Sequence, residues 1–176
     1  MTKFMMMTAM GALALGGCAM TDTAGGAAGE GAVATAQLIT ANGQSVGTVT
    51  ATEMVDGLQL VVEGNAMPPG PHGAHIHTVG RCDAPTFESA GGHWNPTTKQ
   101  HGMQNPAGPH VGDAPNLDVG SDGSGSLTYT LGGATISGLL DADGAAMMIH
   151  AGPDDMKTDP SGNSGGRIAC GVFRAA

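Results

Sequence analysis

The sequence predicts an all-β domain of about eight strands, a sandwich or flattened barrel, and three observations carry that prediction. Short stretches of alternating character recur along the chain, turn signals separate them, and no stretch of comparable length shows a helical period outside the first 17 residues. With 31 glycines and 10 prolines in 176 residues, the chain is rich in turns yet below the Gly and Pro content of disordered low-complexity segments.

The elements follow in chain order. Residues 1–17, MTKFMMMTAMGALALGG, place one lysine before an apolar run too short to span a bilayer and end in small residues, the layout of a secretory signal peptide. Leu15, Gly16, Gly17 and Cys18 resemble a bacterial lipobox, which makes Cys18 the expected lipidation site and mature N-terminus. Ala19 follows it where an aspartate would retain the protein at the inner membrane, so the outer membrane is the expected anchor. Residues 18–31 are rich in Gly and Ala, lack hydrophobic periodicity and read as a flexible tether. One folded domain remains, residues 32–176, long enough to bury a real core. Its expected strands are AVATAQLI, SVGTVTATEM, GLQLVVEG, HGAHIHTV, GSLTYTL, ATISGLL, AAMMIHA and RIACGVF, punctuated by Ala-Asn-Gly, Asp-Gly and Gly-Gly.

Charge narrows the partners. The formal net charge is −9, and losing Lys3 with the leader lowers it by one more unit. Nucleic acid and anionic membrane surfaces are poor partners for such a chain.

Residues 91–115, GGHWNPTTKQHGMQNPAGPHVGDAP, have almost nothing apolar to bury, and a loop of that length inside a compact domain needs another source of order. It holds His93, His101, His110 and Asp113. One histidine in a loop is ordinary surface polarity; three with a carboxylate form an N3O donor set suited to tetrahedral, structural zinc. Upstream, His75 and His77 lie two apart on an expected strand and so project from one face, whereas His72 has the opposite parity. An HxH pair alone is a weak signal. His150, closing the apolar strand AAMMIH, adds a third imidazole, and one further ligand from the loop would complete an all-nitrogen set suited to copper.

At this point GAHIHTVGRC, GGHWNPTTKQHGMQNPAGPHVGDAPNL, IHAGPDD and GGRIACGVF, in this order and spacing, resemble the Cu/Zn superoxide dismutase family in its bacterial periplasmic branch, over nearly all of residues 33–176. The resemblance implies an eight-stranded Greek-key β-barrel with long metal-binding and electrostatic loops. It implies copper held by His75, His77, His93 and His150, and zinc held by His93, His101, His110 and Asp113, with His93 bridging the two metals. It further implies that Asp154 hydrogen-bonds one histidine from each metal, that His72 braces the fold without binding metal, and that Cys82 and Cys170 form a disulfide. Arg167 would line the copper channel and hold the anionic substrate, superoxide. The implied activity is conversion of superoxide to O2 and H2O2 through alternating Cu(II) and Cu(I), protecting the cell envelope. The competing class is a copper- and zinc-binding envelope lipoprotein without turnover. A carrier would lack a ligand or the arginine, or would show a CxxC exchange motif, and neither departure is present. Monomer and homodimer both remain open.

Overall fold

A computed structural model describes residues 31–176, together with Met1. The expected leader, the tether and the lipidation of Cys18 lie outside the described residues. The order of elements is β1 (Val33–Ile39), β2 (Ser45–Met54), β3 (Gly57–Gly64), β4 (Gly70–His72), β5 (Ala74–His77), β6 (Leu117–Val119), β7 (Gly125–Gly132), α1 (Ile136–Leu139), β8 (Ala146–His150), β9 (Arg167–Val172) and β10 (Arg174–Ala175).

The alternation read from the sequence becomes the inside and outside of a sheet. In β1, Ala34, Ala36 and Leu38 are buried while Thr35 and Gln37 are exposed, and β2 and β3 continue the pattern with Val49, Ala51, Leu58, Leu60 and Val62 inside. All pairings are antiparallel, in the order β4-β6-β7-β3-β2-β1-β9-β8-β5, with β10 added to β1. The β3-to-β7 and β1-to-β9 neighbours make this a crossed, Greek-key order. The two ends of the sheet, β4 and β5, are consecutive pieces of one run separated by Gly73, so the chain itself draws the edges together into a nearly closed barrel.

Three details differ from the sequence reading. HGAHIHTV is divided at Gly73, whose N–H donates to Gly152 O and whose carbonyl accepts from His150 N. ATISGLL is not a strand: Thr135 Oγ1 accepts from Gly138 N, the Glu53 carboxylate accepts from Ile136 N, and Ile136 and Leu139 bury their side chains from one short helical turn. The short strands β4, β6 and β10, too brief to show a period, complete ten strands among the described residues.

A second, smaller apolar cluster lies beside the main core. Phe87, Ala90, Ala146, Met148 and Cys170 are buried in it, with Cys82 packed alongside. Cys82 and Cys170 are joined as a disulfide, Cα to Cα 5.7 Å, which ties the segment that follows β5 to β9.

Candidate metal centre

Strand pairing assembles the site. β5 pairs β8 with His75 opposite Met148 and His77 opposite Ala146, while His150 ends β8. The other edge of β5 is covered by the long loop: Ile76 N donates to Gly112 O, Trp94 N donates to Ile76 O, and Gly112 N donates to Trp94 O, all at 2.8–2.9 Å. Isolated bridges set Asp113 opposite His75 and His93 opposite His77. This stitch requires glycine at 112, because a Cβ there would sit 2.4 Å from Ile76 O. Trp94, the only tryptophan, buries its ring in the core and anchors the loop beside His93.

His75, His77, His93 and His150 thus converge, with one ring nitrogen of each lying within 4.8 Å of the others. The opposite nitrogen of each ring is engaged. His75 Nε2 donates to Asp154 Oδ2 (2.7 Å), His77 Nδ1 to Gly91 O (2.8 Å), and His150 Nδ1 to Gly165 O (3.1 Å), while His93 Nδ1 lies 2.8 Å from Asp113 Oδ1. Those bonds fix the tautomers and turn four lone pairs inward. The inward atoms, His75 Nδ1, His77 Nε2, His93 Nε2 and His150 Nε2, are buried without a hydrogen-bond partner. Burial is the main force lowering their pKa values, to about 3 for His75, about 2 for His77 and about 4 for His150, with His93 also lowered. Four facing acceptors without a donor are costly when buried, and a cation with affinity for imidazole nitrogen resolves them.

The second cluster is built differently. Nδ1 of His93, His101 and His110 lie 2.8, 3.1 and 3.2 Å from one oxygen, Asp113 Oδ1, and Nδ1 of His93 and His110 are 3.3 Å apart. Zinc bonds of about 2.0–2.1 Å give a tetrahedron with edges of about 3.3 Å, so this donor set has the right size. Asp113 Oδ2 accepts from Gly102 N (2.9 Å) and His110 N (3.0 Å), which aims Oδ1 at the three rings. Burial opposes charge here too, but contacts with Asp113 and Asp154 outweigh it and raise His101 to about 9. The same histidine contacts hold both aspartates below the usual carboxylate range against the opposing effect of burial. The electrostatics of this half call for positive charge.

Asp154 joins the halves, with Oδ2 on His75 Nε2 (2.7 Å) and Oδ1 on His101 Nε2 (3.0 Å). The loop of residues 151–166 closes over it at Gly162, where φ is +61° and a Cβ would fall 1.7 Å from Asp154 Oδ1. Asn116, which the sequence reading missed, clamps the backbone of Asp154 with both ends of its amide, Oδ1 accepting from Asp154 N (2.8 Å) and Nδ2 donating to Asp154 O (3.0 Å). Nothing local in the sequence marks it, because its partner is 38 positions away. His72 stays outside both clusters, its ring held between His150 O (2.7 Å) and Pro68 O (2.8 Å).

A cavity of about 390 Å³ opens onto the first cluster, lined by His77, His93 and His150 with Asn95, Ser161 and Arg167. Arg167 is half-buried and gripped by two carbonyls, Nη1 donating to Phe87 O (2.6 Å) and Nη2 to Gly91 O (2.7 Å). Among the described residues it is the only Lys or Arg along this cavity. Sequence alone did not identify Asn95, Ser161 or Phe87, which carry no recognisable spacing.

A nearly closed Greek-key barrel with an all-nitrogen site and an N3O site sharing one imidazole defines a two-metal β-barrel protein. Residues 45–173 match the sequence profile of the family described as copper/zinc superoxide dismutase (SODC). A Cu-Zn superoxide dismutase from Aquifex aeolicus is 40% identical over 145 residues, covering 79% of this chain and 86% of its own. Among solved structures, a superoxide-dismutase-like protein from Bacillus subtilis, in a double mutant that replaces a tyrosine and a proline by histidine, is 44% identical with a TM-score of 0.74, covering 78% of this chain and 95% of its own. The Cu/Zn superoxide dismutase from Brucella abortus is 30% identical with a TM-score of 0.66, covering 80% and 98%. The chain belongs to the copper/zinc superoxide dismutase family, and its cofactors are copper and zinc.

Proposed function

We propose that this protein is an exported superoxide dismutase of the bacterial cell envelope, tethered to the outer membrane through Cys18. Its copper ligands are His75, His77, His93 and His150, and its zinc ligands are His93, His101, His110 and Asp113. The observation that carries the assignment is the set of four inward, unpartnered imidazole nitrogens, each selected by a hydrogen bond at the other end of its ring.

Copper, alternating between two oxidation states, supplies the electron exchange that turns two superoxide anions and two protons into O2 and H2O2. The chain's own residues do the rest. The Arg167 guanidinium holds the anion at the cavity while Phe87 O and Gly91 O keep it in place. His93 Nε2 is placed to take up and return the proton that the departing peroxide needs, and a zinc ion held by His93, His101, His110 and Asp113 would keep that ring oriented, as its contact with Asp113 Oδ1 already does. Asp154 holds His75 and His101 in matching tautomers. In the envelope, beyond the cytosolic reductants, the Cys82–Cys170 disulfide persists.

Superoxide consumption by the protein loaded with copper and zinc, beside a zinc-only sample, tests the reading. Fast, copper-dependent turnover is expected. Tight binding of both metals without turnover would replace the enzyme with a metal-holding lipoprotein. Cys18→Ser should release the protein from the membrane fraction, and an unchanged distribution would refute the anchor.

A further inference from the structure

Arg167 owes its place to a residue that touches neither metal ligand nor substrate. Phe87 has a left-handed backbone, φ 56° and ψ 19°, an uncommon conformation for a bulky side chain. Its ring is 1% exposed and occupies the small core formed by Ala90, Ala146, Met148 and Cys170. Its carbonyl accepts from Arg167 Nη1 at 2.6 Å and, opening the 3₁₀ turn Glu88–Ala90, from Ala90 N at 3.1 Å. Cys170 and Arg167 both belong to β9, so Phe87 meets that strand twice, with its ring in the cluster of Cys170 and with its carbonyl at Arg167. The backbone is further held by Phe87 N donating to Asp83 O (3.0 Å) and by Asp83 N donating to Ser89 Oγ (2.8 Å).

We infer that Phe87 is the positioning residue for Arg167: burial of its ring holds the loop in the left-handed turn that aims the Phe87 carbonyl at the guanidinium. A smaller side chain removes the reason for the turn, because outside that packing an L-residue prefers to leave the left-handed region. The disulfide does not replace this device, since Cys82 lies five residues upstream and the chain between them would be free to turn the carbonyl away. With one of its two carbonyl partners lost, Arg167 would spread over more rotamers and hold an anion less well.

The inference rests on the assignment of Arg167 as the anion-holding group, and its test separates the two. Azide affinity is measured from the optical spectrum of the copper- and zinc-loaded protein for Phe87→Ala, Phe87→Leu, Arg167→Ser and Phe87→Ala combined with Arg167→Ser. Loss of one hydrogen bond to a charged donor predicts azide binding weaker by about tenfold or more in Phe87→Ala. Phe87→Leu, which refills most of the pocket, should stay within about twofold of wild type by the tolerance of cores for such exchanges. The copper absorption band without azide should be unchanged in both. Phe87→Ala should add nothing in the Arg167→Ser background, since a residue acting through another loses its effect once that partner is gone. Amide and guanidinium NMR gives a second readout: slowly exchanging Arg167 N–H signals in wild type and Phe87→Leu, lost in Phe87→Ala. A Phe87→Ala protein of lower Tm with unchanged azide affinity and a still-protected Arg167 would overturn the inference and leave Phe87 as packing. Unchanged azide affinity in Arg167→Ser would overturn the assignment of Arg167, and the role of Phe87 with it.

Discussion

His75, His77 and His150 stand on the paired strands β5 and β8, whereas His101, His110 and Asp113 are carried by the long loop, and His93 belongs to both groups. The strand-borne group has no carboxylate at its centre, so burial, helped by the neighbouring rings and Arg167, outweighs the hydrogen bonds at the far end of each ring and keeps the inward lone pairs free of protons. The loop-borne group surrounds a carboxylate, which raises His101 and draws rings together that have little core beneath them. The difference teaches that the same side chain is made a free donor by a rigid, dry scaffold and a cation seeker by a neighbouring acid. The first arrangement suits a metal that must change its charge. The second suits one that must hold a loop in shape.

The residue common to both regions should show the largest effect. On the proposed assignment, His93→Ala removes one ligand from each set and the group that moves the proton. Loss of general acid–base catalysis alone is worth about 10²–10⁴ in rate. Superoxide consumption should fall by at least that factor, with both metals released more readily to a chelator. A variant that kept its zinc as firmly as wild type would show that the regions are less coupled than their shared ring implies.

Asp113→Asn separates them. The substitution removes the carboxylate that three imidazoles face, and zinc affinity should drop by more than the roughly 10–100-fold seen for changes beyond the direct ligands. Tm should fall with it, because the metal contributes folding free energy to a loop with few apolar contacts. Copper binding, resting on strands, should suffer less. Chelator titrations of each metal would check this, and equal losses for copper and zinc would break the distinction.

Much of this contrast was legible in the sequence, for physical reasons. HxH on a strand fixes parity, so His75 and His77 had to share a face and His72 had to leave it. A polar loop carrying three histidines and an aspartate needed a metal in place of a core. What could not be read is whatever depends on distant backbone: the division at Gly73, the clamp of Asn116 on Asp154, and the carbonyl of Phe87 turned toward Arg167. ATISGLL misled because Ile136 and Leu139 suit either element, and the deciding contact, Glu53 to Ile136 N, crosses 83 positions. The disulfide pairing and the role proposed for Arg167 came from likeness to a family, not from spacing.

Acid should distinguish the regions in the metal-free protein. The folded pKa values of His75, His77 and His150, about 3, 2 and 4, lie below the ordinary 6.5. Between pH 6.5 and about 4 the unfolded chain therefore binds more protons, and stability falls as the pH falls through that window. His101, raised to about 9, works the other way: its contribution is present below pH 6.5 and is lost as the pH rises through 9. Four depressed histidines, His93 among them, against one raised one predict a Tm that declines from pH 7 toward pH 4. His75→Phe should flatten that decline, and a Tm independent of pH in this window would refute the account.

The smallest expected effect concerns approach of the substrate. A chain of charge −9 repels superoxide, so a local positive field must compensate, and among the described residues Arg167 is the one Lys or Arg lining the cavity. Lys99 lines a different cavity, beside His110 and Tyr129, and Lys157 is exposed on the loop of residues 151–166, beside Asp155 and near Asp159 in sequence. At physiological salt the field of an exposed lysine fades over about 8 Å, and its acidic neighbours cancel part of it sooner. Lys157→Gln should therefore lower kcat/KM by about twofold or less at low salt, with a slightly shallower dependence on ionic strength. Stopped-flow rates across an ionic-strength series would read both quantities. An unchanged salt slope would remove Lys157 from the steering field and leave Arg167, beside the strand-borne histidines, to counter the charge of the whole chain.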